Sequence, residues 1–218
     1  MIIPGRFNGP PGSGNGGYTS GLVASYVDAP VVQVRLHRPP PLDTVLQVHP
    51  ATENGRVLVF DEDRLVASAE AADVEGPVPG VPLATATQAA TAYAGFAEHP
   101  FPTCYVCGPQ RGDGLAIYPG RLADGRTAAP FVVPADVTVA TVWAALDCPG
   151  GWTVPLETRA YVLGEFAVRV EAVPAPGAEC VVVGEMTGED GRKAYARTTL
   201  YSPTGDPLAI GQATWIAI

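Results

Sequence analysis

Apolar and polar residues alternate along several short stretches of the chain, a pattern typical of half-buried β-strands. The clearest stretch is Val32–His37, where valine and leucine alternate with glutamine, arginine and histidine. The predicted strands of the first half are 32–37, 44–49, 56–60 and 65–71. Pro39–Pro41 and Asn54–Gly55 supply turn signals between them. A glycine-rich run of small residues at 14–27 precedes the strands and predicts a helix, so this half reads as one helix followed by an antiparallel meander.

The second half of the chain repeats this order of elements. Residues from Pro134 to Asp147 predict a helix, which Pro149 and the two glycines after it would stop. Four predicted strands follow, at 166–171, 180–184, 193–201 and 208–218. A repeat of this length indicates duplication of a whole small domain rather than a solenoid.

The stretch between the two copies has a different composition. Residues 75–82 are proline-rich, and residues 84–97 are alanine-rich and predict a short helix. An irregular insertion follows at 99–121, with a Cys-x-x-Cys motif and a glycine-rich turn. We therefore predict a first unit at 1–75, a linker and insertion at 76–115, and a second unit at 116–218.

Composition narrows the functional class. Hydrophobic residues make up 47% of the chain and charged residues only 16%, while the 25 glycines and 23 prolines favour a turn-rich, mostly β protein. The net charge of −9 and the single lysine, Lys193, argue against a nucleic-acid partner or an anionic membrane. Without a long apolar segment or a signal-peptide pattern, and with only four cysteines, we expect a cytoplasmic protein with reduced thiols and no cofactor.

The two predicted helices carry complementary residues. The first begins Asn15-Gly16-Gly17, and glycine leaves the backbone N–H groups of a helix start open to a carbonyl oxygen that gains negative charge. The second ends in Asp147, where the helix dipole disfavours a carboxylate and apolar neighbours should raise its pKa. The simpler interpretations are an ordinary asparagine cap and an aspartate that bonds to its own turn.

This arrangement resembles the hotdog-fold acyl-CoA thioesterases, in which an antiparallel sheet wraps one central helix and two such units pair. In the phenylacetyl-CoA-type branch the helix begins His-Gly-Gly and carries an aspartate nine residues after the histidine. The first helix here has Asn15 for the histidine and Ala24 where the acid would stand. The second keeps Asp147, but Thr138 stands nine residues earlier without glycines after it. The resemblance implies an α+β fold of two tandem hotdog units in a pseudo-dimer, with one site assembled between the halves.

The same resemblance implies thioester hydrolysis. Asp147 would be the general base or nucleophile, the backbone of Gly16 and Gly17 would polarise the carbonyl, and Asn15 or Asn8 would assist. The carboxylate would then lie roughly 6–8 Å from the backbone nitrogens of Gly16 and Gly17, with the thioester carbonyl between them. Residues expected to line the acyl pocket are Tyr18, Leu22, Val142 and Trp143. Arg111 would meet the coenzyme A phosphates, although a surface turn explains it as well. The expected partner is an acyl-CoA substrate, and a homodimer of the fused pair stays open.

Other functions remain alternatives. The replacement of histidine by Asn15 and of the acid by Ala24 suits a non-catalytic protein that binds acyl-CoA or another small ligand on the same scaffold. A hotdog hydratase or dehydratase ranks lower, because it needs a histidine beside the acid and all three histidines lie outside the two helices.

Cys104-x-x-Cys107, with His99 upstream, raises the question of a zinc site. One such pair supplies two ligands, and Cys148 would have to come from far along the chain, so we predict packing cysteines and no metal. A redox role lacks the βαβ setting that it needs.

Glu157 and Thr158 follow the second helix and would stabilise the catalytic residues without contacting the substrate.

Overall fold

The computed structural model describes residues 1–50, 55–154, 156 and 159–218. Within them the α-helices are α1 (Gly16–Ala24), α2 (Leu83–Ala90) and α3 (Val139–Gly151), with 3₁₀ turns at Gly5–Phe7 and Ala94–Phe96. The strands are β1 (Val31–Leu36), β2 (Gln47–His49), β3 (Val57–Asp61), β4 (Arg64–Ala71), β5 (Gly120–Arg121), β6 (Thr127–Val132), β7 (Tyr161–Val170), β8 (Glu179–Asp190), β9 (Lys193–Tyr201) and β10 (Pro207–Ala217). None of the described helices has the length and apolar character needed to cross a bilayer.

All the strands described belong to one antiparallel sheet in the order β2-β3-β4-β1-β7-β10-β9-β8-β6-β5. The halves meet where β1 pairs with β7, in a register that places Val34 opposite Phe166. Helix α1 packs on β1, β4 and β7, and helix α3 packs on β6 to β10. The predicted α+β class is confirmed: the two units lie side by side, each with one central helix, and their strands join into one continuous antiparallel sheet.

Helices α1 and α3 are the centre of the core. In α3 every residue except Val139 is buried, and a helix that is apolar all round needs cover on all sides. The two helices run antiparallel and very close together, because glycines stand where they cross. A Cβ on Gly17 would lie 2.6 Å from the Cβ of Asp147, and one on Gly21 would lie 2.7 Å from the Cα of Ala140.

Both ends of α3 differ from the prediction. The helix begins at Val139 rather than near Pro134, because the side chains of Thr138 and Thr141 form a capping box there. It also continues through Pro149 to Gly151 instead of stopping before the proline. A proline in the last turn loses only one backbone bond, and its own carbonyl accepts a hydrogen bond from the Thr127 hydroxyl at 2.7 Å.

Two strands were not predicted. Strand β6 reads Thr-Ala-Ala-Pro-Phe-Val, which has no clear alternation and contains a proline. Pro130 is tolerated because β5 pairs only with Thr127 and Ala128, so the β6 edge opposite β8 has no strand partner at the proline. At the predicted Asn54–Gly55 turn, Gly55 has φ +70°, while Asn54 lies outside the described residues.

Candidate active site

Asp147 connects the end of α3 to the start of α1. Its Oδ2 accepts a hydrogen bond from Asn15 Nδ2 at 2.9 Å and another from the Gly17 backbone N–H at 3.0 Å. The residue is only 3% exposed. The carboxylate that its own helix dipole disfavours thus lies at the positive end of the other helix. Its hydrogen bonds run to α1 and not to residues 148–151, which form the last turn of α3.

The predicted spacing at this junction was wrong. We expected roughly 6–8 Å between the carboxylate and the glycine nitrogens, with a substrate carbonyl between them. Because Gly17 has no Cβ, the two helices come so close that the carboxylate itself accepts the hydrogen bond from the Gly17 N–H. That N–H is therefore not available to a substrate in this arrangement.

One N–H group of the first turn of α1 stays open. Gly17 donates to Asp147, and the Tyr18 N–H donates to Asn15 Oδ1 at 2.8 Å, so Asn15 acts as the helix cap. Within the described residues, no hydrogen bond is found for the Gly16 N–H, and Gly16 lines a cavity. The geometry leaves Gly16 as the donor that a bound carbonyl oxygen could reach.

The second carboxylate oxygen of Asp147 has no partner. Oδ1 is buried and accepts no hydrogen bond from the described residues. The pKa of Asp147 is raised to about 7, mainly by burial; nearby Cys104 also raises it, while the hydrogen bonds from Gly17 and Asn15 lower it. A buried carboxyl group with a free oxygen and a pKa near neutrality has the properties of a general base.

Asp147 and Gly16 lie in the wall of a cavity of about 420 Å³. Its surface is predominantly apolar and includes Pro10, Phe101, Trp152, Leu156, Tyr161 and Leu163. The volume lies in the range of small-molecule sites, and a few polar groups in an apolar wall are typical of them. At the same cavity, Arg38 is exposed and forms no ion pair with any described residue.

Three cysteines meet beside Asp147. The sulfurs of Cys104, Cys107 and Cys148 all lie within 4.8 Å of one another, and the Cys104–Cys148 separation is 3.9 Å. Hydrogen bonds from the thiols of Cys107 and Cys148 hold the pKa of Cys104 well below its usual range, whereas burial raises the pKa of Cys148. Cys148 therefore lies next to the Cys-x-x-Cys pair in space, contrary to the expectation from its distance along the chain.

Solved structures with the same architecture identify the fold. A conserved protein of unknown function with hot dog fold from Alicyclobacillus acidocaldarius is 15% identical, with a TM-score of 0.63 over 98% of this chain and 90% of that one. A tesB protein of Mycobacterium avium subs paratuberculosis is also 15% identical, with a TM-score of 0.63 over 100% and 91%. An acyl-CoA thioesterase II, TesB2, from Mycobacterium marinum is 14% identical, with a TM-score of 0.57 over 92% and 89%. No protein-family model matches the sequence, and no curated protein matches it.

The fold is a tandem hotdog. Near-complete coverage of both chains shows that the whole architecture is shared and not one half of it. At identities this low the likeness establishes the fold alone.

The residues predicted for the acyl pocket of the tandem hotdog lie elsewhere. Tyr18 stacks on Phe7 with ring centroids 3.8 Å apart, and Trp143 packs edge-on against Phe166. Neither they nor the other two predicted residues, Leu22 and Val142, line the cavity. The central helices turn these side chains into the core, and the cavity is formed instead by loops and strand ends around them.

Asn8 and Arg111 are also absent from the cavity wall. Arg111 Nη1 donates to Asn8 Oδ1 at 2.5 Å, and the guanidinium forms an ion pair with Asp113 at 2.7 Å. The Asn8 amide nitrogen donates to the Gly9 carbonyl at 3.2 Å. These contacts hold the insertion against the N-terminal loop, so both side chains are occupied rather than directed at a ligand.

The pseudo-symmetric position of the tandem hotdog has no such chemistry. Ala24 has no acid to offer, and the start of α3 is closed by the Thr138–Thr141 capping box. Glu157 and Thr158, predicted to support the site, lie outside the described residues. Among the described residues, the chemistry of the two helix junctions is concentrated at Asp147.

His99 is a cavity residue that the strand and helix patterns did not indicate. Its Nδ1 accepts the Phe101 N–H at 2.9 Å, and its Nε2 lies 3.4 Å from the Cys107 sulfur. Both ring nitrogens are therefore directed away from Asp147. The histidine beside the acid that a hydratase needs is not supplied by His99.

Proposed function

We propose that this protein hydrolyses an acyl-CoA thioester in the cavity beside Asp147. The observation that carries the proposal is a buried carboxylate whose Oδ2 is anchored by two hydrogen bonds and whose Oδ1 has no partner among the described residues. Anchoring through one oxygen fixes the orientation of the other, and this preorganisation favours proton transfer or attack at a defined point.

In the general-base form of the reaction, Asp147 Oδ1 takes a proton from a water molecule as the water oxygen attacks the thioester carbonyl carbon. The carbonyl oxygen gains negative charge, which a hydrogen bond donated by the Gly16 N–H would stabilise. The C–S bond then breaks, and the leaving thiolate takes the proton from Asp147, which gives a carboxylic acid and free coenzyme A. In the nucleophilic form Oδ1 attacks the carbonyl carbon itself, the C–S bond breaks and coenzyme A leaves as the thiolate. Water then hydrolyses the resulting anhydride, which restores the carboxylate of Asp147, releases the carboxylic acid and supplies the proton that the thiolate takes up.

The rest of the cavity suits this substrate class. Its apolar wall fits an acyl group, and the exposed Arg38 in its lining, which forms no ion pair with any described residue, suits a phosphate of coenzyme A. Arg38 replaces Arg111 in this role, since Arg111 is already paired with Asp113. The acyl-CoA thioesterase II from Mycobacterium marinum, which has the same fold, supports this substrate class by analogy.

The test is release of free coenzyme A from a panel of short, medium-chain and aryl acyl-CoA esters. We expect turnover of at least one class. Thermal stabilisation by an acyl-CoA without hydrolysis of any ester would reject the enzyme and support the binding protein instead. Absence of both stabilisation and turnover would reject an acyl-CoA site altogether.

Arg38→Ala tests the coenzyme A contact. We expect KM for an acyl-CoA to rise about tenfold with kcat nearly unchanged, because an exposed charge-assisted contact contributes about 1.4 kcal/mol to binding of substrate and transition state alike. The KM for an N-acetylcysteamine thioester, which carries no phosphate, should stay the same. Arg64→Ala, which removes an exposed arginine paired with Asp61 outside the cavity wall, is the matched control. Equal KM values for wild type and Arg38→Ala would remove Arg38 from the site.

A further inference from the structure

The cluster of Cys104, Cys107 and Cys148 has the geometry of a metal site. Two thiolates on one tetrahedral Zn²⁺ ion, each at about 2.3 Å from the metal, lie about 3.8 Å apart. The observed Cys104–Cys148 separation is 3.9 Å, and all three sulfurs lie within 4.8 Å of one another. The three sulfurs therefore lie within about 1 Å of the spacing that one tetrahedral ion requires.

Side-chain hydrogen-bond donors lie beside these sulfurs. Asn15 Nδ2, which donates to Asp147, lies 3.9 Å from the Cys104 sulfur, and His99 Nε2 lies 3.4 Å from the Cys107 sulfur. Packing between apolar thiols needs no such donors, whereas metal-bound thiolates are commonly held by them.

His99 contributes as a donor and not as a ligand. Because its Nδ1 accepts the Phe101 N–H, the neutral ring carries its proton on Nε2, which lies 3.4 Å from the Cys107 sulfur. An Nε2–H group donates to a thiolate and has no lone pair for a metal. The protein thus supplies three sulfur ligands.

We propose that Cys104, Cys107 and Cys148 bind one Zn²⁺ ion as thiolates, with the fourth coordination position facing the cavity. All three cysteines line the cavity, so a water molecule can take the fourth position. Soft thiolate ligands select Zn²⁺ over Mg²⁺ or Ca²⁺, and a single tetrahedral ion suits the sulfur spacing. The ion would lie beside Asp147 on the same cavity, but its binding does not depend on thioester hydrolysis.

The ion would fasten the insertion to the core. Cys104 and Cys107 belong to the segment between the two units, while Cys148 belongs to α3. The same segment supplies Phe101 to the cavity wall. Removal of the metal should therefore loosen the cavity wall and lower the thermal stability of the whole protein.

The experiment is elemental analysis of the full chain after purification without chelators, for zinc, iron and copper together. We expect about one zinc ion per chain, falling below about a tenth in Cys107→Ser. Cys180→Ser is the matched control, since Cys180 is also fully buried but belongs to β8 and not to the cluster. It should keep the full zinc content.

Wild-type protein gives a second, independent measurement if Cys107→Ser does not fold. Protein stripped with a chelator and reconstituted with Co²⁺ should show thiolate-to-cobalt charge-transfer bands and the intense visible bands of a tetrahedral ion, and Zn²⁺ should abolish both and raise Tm. A silent Co²⁺ spectrum, a mass deficit of two hydrogens that marks a Cys104–Cys107 disulfide, or bound iron or copper in place of zinc would each overturn the proposal. Thioesterase assays on the same samples report separately on the proposed function.

Discussion

Asp147→Asn is expected to lower kcat for acyl-CoA hydrolysis by about 10²–10⁴-fold, because this is the usual contribution of a positioned general base. Asparagine keeps the shape of aspartate, and its Oδ1 can still accept the hydrogen bonds from Asn15 and the Gly17 N–H. The NH₂ group then takes the place of the unpaired Oδ1 and has no lone pair for a proton. Steady-state kinetics with the best substrate of the panel, together with Tm, measures the effect.

The control for this substitution is Asp136→Asn. Asp136 has an exposed side chain that pairs with Arg6 at 3.4 Å, and it does not line the cavity. We expect wild-type kcat and Tm from the control. If Asp147→Asn also keeps wild-type kcat while the protein turns over substrate, Asp147 only joins the two helices and another residue carries the chemistry.

Gly17→Ala should destabilise the fold by about 1–3 kcal/mol, because overpacking a tight interface forces side chains and backbone to shift. The added Cβ would lie 2.6 Å from the Cβ of Asp147 and 2.7 Å from the Trp143 carbonyl oxygen. Backbone and Cβ atoms cannot move aside as the tip of a flexible side chain can, so α1 and α3 must separate. Chemical denaturation gives the free energy of unfolding, and kcat should fall with it because the anchor of Asp147 moves.

Gly76→Ala is the corresponding control, since a Cβ there would meet nothing within 4 Å. A surface change of this kind should alter the free energy of unfolding by less than about 0.5 kcal/mol. Equal stabilities for Gly17→Ala and Gly76→Ala would show that the two helices are not in the close contact described above.

The local patterns that the sequence reveals well are those with a short period. The alternation in Val32–His37 marked β1 to within one residue at each end, since side chains of a strand point alternately to the core and away from it. Strand β6 was not predicted from the sequence, because the two alanines before Pro130 give no such alternation. The helix was predicted to end before Pro149, but it continues because its buried last turn keeps its contacts despite the proline.

Sequence alone determined that the chain is a duplication with unequal halves. One helix start has Asn15 and glycines without an acid, and the other helix has Asp147 without glycines. These are properties of neighbours along the chain, so they are visible without coordinates. They also located the residues that the structure brings together at the α1–α3 junction.

Only the tertiary structure decided which hydrogen bonds and contacts those residues form with one another. Gly17 and Asp147 are 130 positions apart, and only the close packing of their helices shows that the carboxylate occupies the glycine N–H and leaves Oδ1 unpaired. Cys104 and Cys148 are 44 positions apart, and no spacing rule joins them into a cluster. Hydrogen bonds and metal coordination depend on distances of a few ångströms through space. Sequence patterns specify the helices and strands, but the separations between them come from how the whole core packs.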